Sequence, residues 1–155
     1  MNGGRDATKA KYSYRNLVLW QRAQEFATDI VKLVDTLPSK RSADSMARQI
    51  VRSATSIGAN IAEGHGRFTL PAHRNHLSIA KGSACETDSW LDLLHRLGLI
   101  SDDAEASLHR KCEALIAGLT AKINDLDRSG ARAVREEGIE YRVHLERPGS
   151  EVPRS

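Results

Sequence analysis

Three histidines, His65, His73 and His76, lie close together in the chain, and His73 and His76 are spaced i,i+3 on one helical face. A metal site needs three or four ligands, and Glu63 is the only carboxylate nearby in sequence. There is no HExxH motif and no pair of ExxH motifs of the kind that carboxylate-bridged di-iron bundles use. Serines are plentiful, but no nucleophile elbow and no cysteine–histidine pattern accompanies them. Glu63, Glu86 and Asp88 would make an acid–base cluster only if the fold brought them together. The glycines around His65 do not spell the GxxxxGK[ST] phosphate loop. These residues predict no enzyme, no metal and no cofactor. A small-molecule or metal-dependent enzyme would require a pocket of convergent ionisable groups that the sequence does not supply.

Cationic side chains are the other chemistry on offer. Lys40–Gly82 holds seven basic and two acidic residues (+5), while Ser83–Asp127 holds four basic and nine acidic (−5). Arg48 and Arg52 are i,i+4, and Arg74 and Lys81 are seven apart, so each pair shares a helix face. With Arg67 they make a candidate face for a phosphate backbone, which needs long cations in a row and no base readout. The alternative is an ordinary solvated surface paired with Asp44, Glu86 or Asp88. Aromatics are 5% of the chain, little material for stacking bases.

The segment from Ser56 to Arg67 is the most distinctive. Asn60 and Glu63 read either as a ligand-contacting pair or as structural groups. In the structural reading Asn60 bonds across helices, Glu63 pairs with Arg67 or Arg52, and the polar network fixes the register.

Helical periodicity must position all of these. A first helix starts near Tyr14–Asn16, with an apolar stripe at Leu17, Trp20, Ala27, Val31 and Val34, widened by Ala23, Phe26, Ile30, Leu33 and Leu37, and ends at Pro38. A second, capped by Ser42 or Asp44, carries Met46, Ile50, Ala54, Ile57 and Ile61, with Gly58 admitting a close neighbour. A third is capped by Thr69 with Pro71 in its first turn, carries Leu77, Ala80, Ala84, Leu91 and Leu94 inward, and breaks at Gly98. A fourth is capped by Ser101, carries Leu108, Cys112, Leu115, Leu119, Ile123 and Leu126, and ends between Asp127 and Gly130. Short links predict an all-α, antiparallel up-down-up-down four-helix bundle over residues 14–128. Residues 1–13 are expected to be a flexible basic arm, and 129–155 a polar, partly disordered extension.

No run of 18 apolar residues predicts a membrane span, and the polar start lacks the apolar run of a signal peptide. Cys85 and Cys112, both in apolar-periodic segments, read as buried reduced thiols, which makes the cytoplasm the simplest location. The wide apolar stripes suggest surface buried by self-association.

Three motifs carry a family resemblance: Leu17-Val18-Leu19-Trp20-Gln21-Arg22-Ala23, the run Gln49–Arg67 reading QIVRSATSIGANIAEGHGR, and Leu77–Glu86 reading LSIAKGSACE. Over about residues 14–126 the chain resembles the small bacterial four-helix proteins encoded in the intervening sequences of 23S ribosomal RNA genes, a family related to the accessory protein of diversity-generating retroelements. The resemblance implies an antiparallel four-helix protomer, a homopentameric ring with a basic surface, and no catalytic residues. In the retroelement relatives it implies a reverse transcriptase partner and nucleic-acid binding. Arg52, Asn60, Glu63, Gly64 and Arg67 are the family-characteristic positions. Gly58 stands where the family commonly has proline, and the chain after Leu126 is longer and more charged than the family core needs. The reading that follows is a non-enzymatic oligomeric bundle binding RNA through Arg48, Arg52, Arg67, Arg74 and Lys81. The alternative is a scaffold or accessory subunit that docks a larger enzyme.

Overall fold

Pro38 forbids continuation of the first helix, Gly66 and Thr69 separate the second from the third, and Gly98 separates the third from the fourth; each break forces the next helix to double back. The computed structural model describes residues 13–145, with side-chain surroundings for 13–135. A 3-10 turn at Tyr14–Asn16 leads into α1 (Val18–Val34), α2 (Arg41–His65), α3 (Leu70–Arg96) and α4 (Asp102–Leu145). Sequential helices pack on one another, and α1 also meets α4, closing an all-α bundle with the up-down-up-down arrangement that the periodicity predicts.

The caps follow local chemistry. Thr69 Oγ1 accepts from the Ala72 N–H at 3.3 Å, with Pro71 in the first turn where no N–H is needed. Ser101 Oγ accepts from the Ala104 N–H at 3.2 Å. Gly98 sits at φ 65°, left-handed backbone that glycine adopts without a Cβ penalty. α2 departs from expectation: it starts after Lys40, with no side-chain cap, so Ser42 and Asp44 lie within its first turn. The Lys40 N–H bonds to the Pro38 carbonyl at 2.8 Å, and this tight turn starts the helix early. Asp44 there complements the positive helix end.

The core is one cluster. Phe26, Ile30, Ile50, Ile57, Leu77, Leu91, Leu94, Leu115 and Leu119 are nearly or wholly buried. On α1 the buried line is Ala23, Phe26, Ala27 and Ile30, while Val31, expected inside, is exposed because the neighbouring helices cover the Ala23–Ile30 side. Gly58 lies against α1: a Cβ there would meet Gln24 Nε2 at 2.6 Å and Ala23 Cβ at 3.8 Å. Gly64 lets the start of α3 close onto the end of α2, since a Cβ there would lie 3.0 Å from His76 Cβ and 3.3 Å from the His73 carbonyl oxygen.

The end of the fourth helix, expected between Asp127 and Gly130, is corrected: α4 runs unbroken through Gly130 to Leu145. One glycine costs about 1 kcal/mol in a helix. Ala131, Arg132, Ala133 and Arg135 favour helix, and no proline intervenes. Leu70 and Pro71 at the start of α3 line a groove with Leu126, Gly130 and Val134. The helical residues after Val134 rise about 16 Å further. Most of the expected N-terminal arm, residues 1–12, and the final stretch, 146–155, lie outside the described residues.

Candidate nucleic-acid interface

Hydroxyl groups join α2 to α3. Thr87 is wholly buried and its Oγ1 lies 2.8 Å from both Ser53 Oγ and the Ser83 carbonyl oxygen, while Ser53 Oγ lies 3.1 Å from the Ile50 carbonyl oxygen. Ser56 and Ser83 hydroxyls lie 2.9 Å apart. Among the described residues, no buried side-chain nitrogen or oxygen lacks a partner, so this polar seam costs little desolvation.

One turn further along, the Ser56–Arg67 segment closes a network. Asn60 Nδ2 donates to the Ser56 carbonyl at 2.9 Å and to Ser56 Oγ at 3.0 Å, which turns Asn60 Oδ1 toward His76 Nδ1 at 3.3 Å. Arg67 Nε donates to His76 Nε2 at 3.1 Å, and the same guanidinium pairs with Glu63. His76 is thus held from both ring nitrogens, with Glu63 a further 3.6 Å from Nε2. Asn60 therefore bonds across helices, and Glu63 pairs with Arg67 rather than Arg52. Gly64 gives the backbone room for both histidines.

The five cations predicted as one face divide between two grooves. Arg48 and Arg52 are exposed on α2, and Arg52 reaches across to Glu86 on α3 at 3.2 Å. Arg74 pairs with Asp127 on α4. Asp88 and His95, seven and fourteen residues beyond Lys81, also bond to α4, so half-buried Lys81 shares the α4-facing edge with Arg74. Residues 81 and 83 are about 200° apart around a helix, which puts the Arg74–Lys81 edge opposite the α2-facing hydroxyls. Arg67 sits at the α2–α3 corner. Arg48 and Arg52 are thus brought together, as are Arg74 and Lys81, but not the two pairs.

Imidazole–carboxylate pairs line the α3–α4 groove: His109 with Asp88 at 2.7 Å and His95 with Asp102 at 2.8 Å. In each, the hydrogen bond to the carboxylate raises the histidine pKa above its ordinary value, partly offset by desolvation. His73 moves the other way: burial lowers its pKa, and the charges of Lys122, His65 and His76 lower it further. Glu63, Glu86 and Asp88 do not form one acid–base cluster, being tied instead to Arg67, Arg52 and His109 respectively.

Among the described residues, no group of three or more histidine, cysteine, aspartate or glutamate side chains is placed to hold a metal ion. Cys112 is buried, donates to the Ala84 carbonyl at 3.1 Å, and its thiol is pushed up to about 12, chiefly by burial. Cys85, expected buried, is exposed. It follows Ala84, and a step of about 100° turns it out of the core stripe. No described helix is long and apolar enough to cross a membrane.

Two features escape a reading from sequence. Phe68 is fully exposed in the link between α2 and α3. Arg128, Arg132 and Arg135, at i, i+4 and i+7, form a row on α4. The arginine spacing is legible in the sequence once the helix is known to continue, whereas no sequence signal distinguishes an exposed turn phenylalanine from a buried one.

Comparison with known proteins matches residues 15–121 to the family described as 23S rRNA-intervening sequence protein. A solved structure of a protein of unknown function from the S23 ribosomal protein family of Bacteroides thetaiotaomicron is 35% identical, covers 68% of this chain and 98% of its own, and superposes with a TM-score of 0.65. No curated protein matches. The residues of α4 after 121 lie outside the family match.

Proposed function

The chain belongs to the 23S rRNA-intervening sequence protein family, and on that footing we propose that it is a non-enzymatic, cytoplasmic bacterial protein that binds structured RNA through exposed cations as a homo-oligomer, a pentamer by family resemblance. The observation that carries the reading is the pair Arg48 and Arg52, one helical turn apart on the outside of α2, with the Arg52 side chain 71% exposed although it touches Glu86. An exposed ion pair contributes little, so a phosphate can displace the carboxylate at small cost. Lys81, Arg74 and Arg67 extend the cationic surface around the bundle. Repetition of this weak surface in an oligomer supplies affinity through avidity.

Counterion release dictates the test. Anisotropy of a labelled structured RNA, with a matched DNA duplex beside it, is titrated against salt while light scattering reports the oligomeric state. The logarithm of affinity is expected to fall linearly with the logarithm of salt, by roughly 0.7–0.9 per phosphate neutralised. Charge reversal at Arg48 and Arg52 weakens binding and shallows the slope. Affinity indifferent to salt overturns the reading.

A second reading, an accessory subunit docked on a larger enzyme such as a reverse transcriptase, as the resemblance to the retroelement accessory protein suggests, draws on the apolar groove lined by Leu70, Pro71, Leu126 and Val134. Binding of a purified reverse transcriptase that is lost with Val134→Asp, without any RNA affinity in the free protein, would favour it.

A further inference from the structure

A guanidinium of α2 and an indole of α3 converge on one carboxylate oxygen. Arg52 Nη2 lies 3.2 Å from Glu86 Oε1, and Trp90 Nε1 lies 3.5 Å from the same atom. Both members of the ion pair reach solvent, the Glu86 side chain being 41% exposed. The carboxylate therefore occupies the place where an anion from outside would meet the same donors. Arg52 is also one end of a row. Arg41, Arg48 and Arg52 are all exposed on α2. At about 100° and 1.5 Å per residue they lie within about 40° of one another around the helix, along about 16 Å of its length. Among the described residues neither Arg41 nor Arg48 pairs with a carboxylate, Asp44 in the same first turn included. A cation in the first turn opposes the helix dipole, so Arg41 does not serve the helix that carries it.

A guanidinium fork receives phosphate and carboxylate in the same way. A phosphate backbone laid along α2 would find Arg41 and Arg48 open and Arg52 already occupied. Resting on the RNA reading above, we propose that the phosphate-binding row of α2 has three members, Arg41, Arg48 and Arg52, and that Glu86 stands in for a phosphate at the third, a built-in competitor that the backbone displaces and that limits affinity. The displacement costs little, because an exposed ion pair is weak. It also favours a chain over a lone anion. A free phosphate must win Arg52 from Glu86 unaided, whereas a strand held by Arg41 and Arg48 presents its next phosphate at high effective concentration. The Trp90 N–H loses its acceptor when Glu86 leaves, so the indole registers the exchange.

The full-length protein is titrated with the labelled structured RNA. Glu86→Gln should raise affinity about 1.5- to 5-fold, the range that exposed ion pairs span. Asp103→Asn, the same charge change at an exposed position in the first turn of α4, should raise it less. In an Arg52→Gln background the gain from Glu86→Gln should shrink to that of Asp103→Asn, because the carboxylate then has no guanidinium to withhold. Arg41→Gln should reduce the salt slope by about 1, as the loss of one phosphate contact does. With Trp20→Phe leaving Trp90 as the single tryptophan, RNA should shift the indole emission, and by less when Glu86 is Gln. If Glu86→Gln gains no more than Asp103→Asn, or gains as much without Arg52, or if RNA leaves the Trp90 emission unmoved, the competitor is overturned while the RNA reading stands. A salt slope unaltered by Arg41→Gln overturns the three-membered row. If neither wild type nor Glu86→Gln binds RNA at low salt, both readings fall; binding by Glu86→Gln alone supports both.

Discussion

Gly64 and Gly82 have the same side chain and opposite roles. At Gly64 a Cβ would crowd His76 Cβ at 3.0 Å and the His73 carbonyl at 3.3 Å, backbone that cannot swing aside. Gly64→Ala is expected to cost about 1–3 kcal/mol through overpacking. Nothing lies within 4 Å of a Cβ at Gly82, on the outside of α3, so Gly82→Ala should stabilise by up to about 1 kcal/mol through helix propensity and a less flexible unfolded chain. Urea denaturation of both variants checks the sign; a neutral Gly64→Ala would mean that α2 and α3 can separate without loss. Asn60 and Glu63 show how far spacing alone reaches. Both polar readings of these residues fit the sequence, and only the position of His76, sixteen residues on, gives Asn60 Oδ1 its partner.

Helix α3 is tied to its two neighbours by different chemistry. Toward α2 it presents Ser83 and Thr87, neutral hydroxyls insensitive to pH. Toward α4 it presents Asp88 and His95, which pair with His109 and Asp102. Both histidines have raised pKa values in the folded state, so their stabilisation is complete below the unfolded value of 6.5 and is lost as pH rises through the folded values. His73 has a lowered pKa, so its penalty appears as pH falls through 6.5 and the unfolded chain takes up the proton more readily. Stability should therefore increase with pH up to about 6.5 and decline above it. Denaturation midpoints from pH 5 to 8 would trace this maximum. His95→Gln with His109→Gln should flatten the alkaline limb, and His73→Gln the acid limb; an unaltered profile in the first variant would deny the α3–α4 pairs any part in it.

Burial ends before α4 does. Leu126 is the last residue of the core cluster, whereas the helix continues to Leu145. A chain ended at Gly130 should keep its cooperative unfolding, with a midpoint within a few degrees of the full protein's, since a loss of 1 kcal/mol would already shift a domain of this size by about 2–8 °C. A fall of more than about 10 °C would show that the groove at Leu70 and Val134 contributes to the fold. Charge is uneven along the bundle: Asp92, Asp102, Asp103 and Glu105 gather where α3 turns into α4, while the α4 extension sets Arg128, Arg132, Arg135 and Arg142 against Glu136, Glu137 and Glu140. Sequence by itself determined the four helices, the turns between them and most of the inward stripe, because periodicity, caps and breakers are local and each acts within a few residues. The exit of α4 was one exception, since a lone glycine sets a modest cost and not a stop. Spacing within a helix paired Arg48 with Arg52 and Arg74 with Lys81, but how the two pairs stand to each other was decided by tertiary structure alone. Arg74 and Lys81 are close to Arg48 and Arg52 in charge pattern but leave α3 from the opposite edge, and the rotation of one helix against its neighbours depends on contacts summed over the whole core. Phe68 was left outside by the same sum: the bundle's interior is filled by side chains from four helices, Phe26 among them, and the link that carries Phe68 passes over its end.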